Sequence, residues 1–128
     1  MEHLVSNKII LALVAVFLPI KAVLLVVGFL IFTDLFTGII AAKKRGESIN
    51  SAGFRRTIVK LFLYQTAILT GFLIETYLLG DFVPITKLVG GIIGCTEGLS
   101  IFENINEASG NKMFSKVIEL LKSKNDTK

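Results

Sequence analysis

Apolar positions in this chain run in blocks rather than alternating with polar ones. Ile9 to Leu18 is apolar throughout, until Pro19 and Lys21 interrupt it. Ala22 to Ala42 forms a second block, Ile58 to Leu79 a third, and Val83 to Phe102 a fourth. A hydrocarbon core of ~30 Å takes about 20 apolar residues of helix, which the last three blocks supply. The first offers about twelve helical residues, roughly 18 Å, and reads either as a short frayed span or as an interfacial segment. The pattern predicts an all-α integral membrane protein with three to four transmembrane helices. Its apolar segments cover about 9–20, 22–42, 58–79 and 83–105 of a single membrane domain, 1–128. A basic residue ahead of the first block resembles a signal peptide, but no small-x-small cleavage pattern follows, so the segment reads as retained.

The stretch between the second and third blocks, Lys43 to Lys60, holds six of the fourteen basic residues against one acid, Glu47. Short basic loops stay on the cytoplasmic side of a bilayer. Lys43, Lys44, Arg45, Arg55 and Arg56 therefore set the orientation and meet anionic headgroups. Lys60, read as one turn inside its span, snorkels towards the same interface. Asn50 or Ser51 is suited to cap the next helix. Residues 80–84 make a tight turn, which returns the chain to the cytoplasmic side. The tail, 107–128, is basic as well. Met113, Phe114, Val117, Ile118 and Leu121 repeat there at helical spacing, opposite Lys112, Lys116, Glu119 and Lys122. That is the pattern of a short amphipathic helix lying on the cytoplasmic leaflet. Both basic clusters thus obey one orientation, with the C-terminus inside.

Polar residues within the spans are the candidate functional groups. A carboxylate at mid-membrane costs about 2.5–3.5 kcal/mol, so Asp34 and Glu97 call for a partner or water. Thr37, Gly38 and Ala41 share a helix face with Asp34, and Ser100 and Asn104 one with Glu97. Gln65 is a further polar group inside the third block. Gly90, Gly94 and Gly98 form a doubled GxxxG, suited to close approach of another helix, as is Gly38. Asp34 and Glu97 fall at similar depth and would repel unless one is protonated, bridged by a cation or wetted. Lys60, read as shallower, reaches Glu97 or Glu103 only by leaning. At the other end Glu75 and Lys87 form a plausible pair. Pore-facing and packing roles for these groups both stay open.

Composition narrows the functional classes. Mean hydropathy is +0.70 with 52% apolar residues, and the net charge of +4 sits in the loop and tail. No Arg-rich face interleaved with aromatics exists for nucleic acid. One cysteine, Cys95, and one histidine, His3, give zinc or acid/base catalysis nothing to build on. No enzyme activity and no cofactor is expected.

Several runs occur in a fixed order: Thr33-Asp34-Leu35-Phe36-Thr37-Gly38, Ala42-Lys43-Lys44-Arg45, Ser51-Ala52-Gly53 with Arg55-Arg56, and Glu97-Gly98-Leu99-Ser100-Ile101-Phe102-Glu103-Asn104. Over about residues 25–122 the chain resembles the toxin-secretion/phage-lysis holin family. The resemblance implies accumulation in the host cytoplasmic membrane, homo-oligomerisation, and sudden lesions that let an endolysin or other cargo reach the cell wall. A small non-lytic channel, transport or secretion accessory subunit, and a structural membrane protein, are the competing readings.

Overall fold

The computed structural model describes residues 2–80 and 82–125. Five α-helices lie among them: α1 Glu2–Phe17, α2 Lys21–Lys44, α3 Ser51–Tyr77, α4 Ile85–Ser109 and α5 Ser115–Asn125. The side chain of His3, Asp81 of the 80–84 turn, and tail residues 126–128 lie outside the described residues. Three stretches are long and apolar enough to cross a membrane: Val5–Lys44, Ser51–Tyr77 and Ile85–Ser109. At ~1.5 Å per residue α2, α3 and α4 are about 36–40 Å long, more than a hydrocarbon core requires.

The segment whose role the sequence leaves open joins the next one, and Val5–Lys44 together make one stretch long and apolar enough to cross a membrane. Pro19 lacks the N–H an α-helix needs, and the chain tightens there into a 3₁₀ turn, Leu18–Ile20, before resuming as α2. α1 therefore continues the path of α2, and its main contact is with that turn. Ile9, Ile10, Leu11, Leu13 and Val14 are all exposed. Only its last turn reaches the bundle, where Val16 and Phe17 pack on the core and the Phe17 ring lies 6.3 Å from that of Phe72.

Helices α2, α3 and α4 form a three-helix bundle. Each presents an inward seam built from three- and four-residue steps, the spacing by which helices interdigitate. On α2 the buried side chains Val27, Ile31 and Ala41 follow this rhythm, with Asp34 and Gly38 filling the steps between. Ile68 and Phe72 carry the seam of α3, and Thr86, Ile93, Glu97 and Ile101 that of α4. Outward-facing positions such as Leu25, Phe29, Phe32, Phe36, Phe62 and Ile92 are exposed and apolar, as a lipid-facing surface is.

The ends of the helices are set by local chemistry. Asn50 caps α3, its side chain accepting from the Ala52 N–H at 3.2 Å. Glu75 near the end of α3 accepts from the backbone N–H of Thr86 at 2.7 Å, in the first turn of α4. That carboxylate satisfies one of the free donors at a helix N-terminus, so Glu75 caps α4 first, with Lys87 a weaker attraction at longer range. Gly110 stops α4 in the left-handed region, at φ 70°. A Cβ there would be strained by conformation and would lie 2.9 Å from the Lys44 ammonium.

At the end of the bundle that carries the basic loop, α2 and α4 are tied together. Arg45 Nη1 donates to Glu107 at 2.6 Å, and Lys44 Nζ donates to the Ala108 carbonyl at 3.0 Å. These ties put α2 and α4 parallel and level, with α3 antiparallel to both. The apolar core of Ile20, Val27, Ile31, Ile68, Phe72 and Ile93 fills the half of the bundle away from the basic loop. The other half, where Ala41 and Ile101 are also buried, holds polar interior groups.

Candidate functional site

The polar half centres on three ionisable side chains, one from each helix. Lys60 Nζ of α3 lies 2.9 Å from Asp34 Oδ2 of α2 and 2.7 Å from Glu97 Oε2 of α4. Glu97 is almost wholly enclosed, at 1% side-chain exposure, against 17% for Asp34 and 30% for Lys60. The ammonium is thus the cation that bridges the two acids. A second link joins α2 and α4, because Asn104 Nδ2 donates to Asp34 Oδ1 and to Thr37 Oγ1, both at 3.2 Å. Thr37 in turn donates to the Thr33 carbonyl at 2.9 Å.

The depth of Lys60 follows from where α3 starts. The helix begins at Ser51, two turns before the apolar block at Ile58, so Lys60 lies about 14 Å along it. Asp34 stands ten residues before Lys44, and Glu97 ten before Glu107, about 15 Å in each case. All three therefore meet at one level, near the middle of the bundle. The expected shallow, snorkelling Lys60 is replaced by one that turns inward, because two carboxylates abreast of it offer more than a distant interface.

A cavity of about 460 Å³ leads from the 45–50 loop and the first turns of α3 to Asp34 and Lys60. Ser48, Asn50, Arg56, Thr57, Ser100 and Asn104 contribute to its wall, and Asp34 and Lys60 lie at its inner end. Leu35, Ile39 and Phe54 add apolar wall, and the polar groups and size together admit several water molecules. On the far side of the cluster the apolar core closes the bundle.

The remaining candidate residues separate by location. Gln65 is away from the cluster, where its Nε2 donates to the Leu24 carbonyl at 2.9 Å and its Oε1 is buried without a partner. Gly38 lies against Asn104, Gly94 against Leu30, and Gly90 so close to α2 that a Cβ would sit 2.9 Å from Val23 Cγ1. Gly98 has open space beside it. The glycine face of α4 is therefore used in part within the chain. Gly71, not singled out by the sequence pattern, has the same role on α3 against Ile85 and Val89 of α4.

Lys43, Arg55 and Arg56 are exposed at the basic end. Arg45 also holds Glu47 through Nε at 2.7 Å and Nη2 at 2.9 Å. The hydrogen bonds to Glu47 and then Glu107 raise the guanidinium pKa, while the bond from Arg45 holds the Glu47 carboxyl below the ordinary carboxylate range. Glu103, one of the partners considered for Lys60, pairs instead with Lys122 of α5 at 2.7 Å.

A bundle of three apolar helices with an ion cluster at mid-depth is the setting in which the family comparison is decisive. The model of the bacteriophage holin family matches residues 11–124. The chain belongs to the bacteriophage holin family. The match begins within the first apolar segment, so that segment is part of the family pattern and not an addition outside it. No curated protein and no solved structure matches the chain. As a holin-like membrane protein it carries its distinctive chemistry in the Asp34–Lys60–Glu97 cluster, whose charges are held inside the bundle.

Proposed function

We propose that the protein acts as a phage holin. It accumulates in the host cytoplasmic membrane, assembles with copies of itself, and opens lesions that release an endolysin and trigger lysis. The observation that carries this reading is the division between a lipid-compatible exterior and a charged interior. Lys60 pairs with both Asp34 and Glu97 inside one chain and Asn104 donates to Asp34, so a single copy turns these groups inward, away from lipid. The cavity that reaches Asp34 and Lys60 makes those two groups ready to be wetted. Once helices separate in an assembly, hydrated carboxylates and ammonium groups can line an aqueous lesion. With the basic loop and tail in the cytoplasm, the vestibule opens to the cytoplasm too.

The cavity also favours one second reading, a fixed non-lytic channel in which the cluster lies on an ion path. Inducible expression in a bacterium, with and without a co-expressed endolysin, separates the two. A holin gives an abrupt loss of membrane potential after a delay, with lysis only when the endolysin is present. Sustained growth with an intact potential overturns the proposal, and a gradual ionic leak without endolysin release favours the channel.

A further inference from the structure

The helix α5 is amphipathic in two directions, and the bundle uses only one. Phe114, Ile118 and Leu121 are partly buried at the end of α4. The Phe114 ring stacks on that of Phe102, centroids 4.8 Å apart, and the Phe114 N–H donates to Asn106 Oδ1 at 3.0 Å. Met113, Val117 and Leu120 remain 68%, 39% and 60% exposed. At ~100° per residue Val117, Ile118, Leu120 and Leu121 make an apolar arc of roughly 160° on α5, with Met113 and Phe114 in the turn before it. Only the half towards α4 is covered.

Contacts at both ends of α5 fall on the same part of α4. Phe114 meets Phe102 and Asn106, while Lys122, eight residues on, pairs with Glu103. An antiparallel α5 would have carried Lys122 about 12 Å further along α4. The helix instead runs across α4, at the level of residues 102–106. That level is fixed against the other span, since Arg45 at the end of α2 holds Glu107. The α5 helix therefore lies transverse to the bundle, just inside the ring of basic residues that marks one end of the apolar spans. Lys116 is exposed on the helix next to Leu120, and exposed Lys112 precedes the helix, while Glu119 stands about 60° beyond Lys116, farther from the apolar arc.

We infer that the Val117–Leu120 face of α5, with Met113 of the turn before it, seats in the interfacial layer of the bilayer, with Lys112 and Lys116 on anionic phospholipid headgroups. Charge complementarity and the transverse placement choose lipid over a protein partner: apolar groups point out at headgroup depth, edged by cations. The helix thereby braces the end of α4 against the membrane surface. This inference rests on the chain being membrane-embedded and is independent of the lytic reading.

The test uses the full chain with Cys95→Ser as background. Leu120→Cys, Val117→Cys or Glu119→Cys is labelled with an environment-sensitive fluorophore. Each variant is reconstituted into vesicles of phosphatidylglycerol with phosphatidylcholine, or of phosphatidylcholine alone. In the mixed vesicles labels at 117 and 120 should be quenched by lipid-borne quenchers and shielded from aqueous iodide, while that at 119 is reached by iodide. Lys112→Gln with Lys116→Gln should weaken seating about 25-fold, from ~1 kcal/mol (about fivefold) per lysine near an anionic surface. Iodide access at 117 and 120 equal to that at 119 overturns the inference. So does shielding that tracks the protein-to-lipid ratio instead of the anionic lipid, because a second copy then covers the face.

Discussion

Replacing Lys60 by Met removes the one cation from a cluster with two carboxylates, and its effect can be worked out group by group. Glu97 is the residue that suffers most, because it is enclosed and loses the ammonium 2.7 Å away. Breaking a buried ion pair from one side costs about 3–5 kcal/mol, and a mid-membrane carboxylate carries a comparable ~2.5–3.5 kcal/mol penalty. Asp34 suffers less, since it keeps the Asn104 amide and touches the cavity. The expected loss for Lys60→Met is therefore about 3 kcal/mol. Glu97→Gln leaves the Lys60–Asp34 pair intact and exchanges a charged acceptor for a neutral one, a loss of about 1–1.5 kcal/mol. The double variant should lose less than the sum, with a coupling of about 2 kcal/mol. Reversible unfolding in mixed micelles, driven by increasing dodecyl sulfate and followed by circular dichroism, measures all four corners of this cycle. A Lys60→Met variant within ~0.5 kcal/mol of the parent, or strictly additive losses, would refute the reasoning.

Other consequences follow from neighbouring parts of the bundle. Gly90→Ala forces its new methyl against Val23 and should cost about 1 kcal/mol net of helix propensity; Val23→Ala should restore it, and Gly98→Ala, facing open space, should be neutral or stabilising by up to ~1 kcal/mol in the same unfolding assay. In a Cys95→Ser background, Thr57→Cys and Ser100→Cys should react with a charged, membrane-impermeant thiol reagent supplied from the side of the 43–57 loop, whereas Ile31→Cys and Ile68→Cys in the apolar half should not. Because Arg45 lowers the Glu47 pKa, that contact contributes stability above the ordinary carboxylate range and loses it as pH falls through the lowered value. Side-chain carboxyl NMR should place the Glu47 midpoint higher in Arg45→Gln than in the parent.

Much of this architecture is legible in the chain itself, and the exceptions have physical causes. Apolar blocks of helical length announce α2, α3 and α4, and Asn50 announces the start of α3. The seam containing Asp34 and Gly38 is also visible, because small and polar residues stand out in an apolar helix. The place of Lys60 was hidden by a boundary: counting depth from the apolar block at Ile58 ignores two polar turns that are already helical. The three- and four-residue steps through Thr57, Lys60, Tyr64, Ile68, Gly71 and Glu75 are the signal that would have placed it inward. The direct partner of Glu75 is hidden for a different reason: Lys87 attracts it at longer range, but the backbone N–H of Thr86 that it accepts from leaves no mark in sequence. The fate of α1 depends on whether Pro19 turns the chain back or only tightens it, and a proline permits both.

The central claim is that the Asp34–Lys60–Glu97 cluster holds the chain in a closed, membrane-compatible state whose loosening opens the lesion. The most direct measurement is the interval between induction and collapse of membrane potential in cells carrying the parent or Lys60→Met, matched for membrane-inserted protein. Earlier collapse in the variant is the expected result, since its closed state has lost its bridging cation. Equal intervals at equal protein levels would contradict the claim.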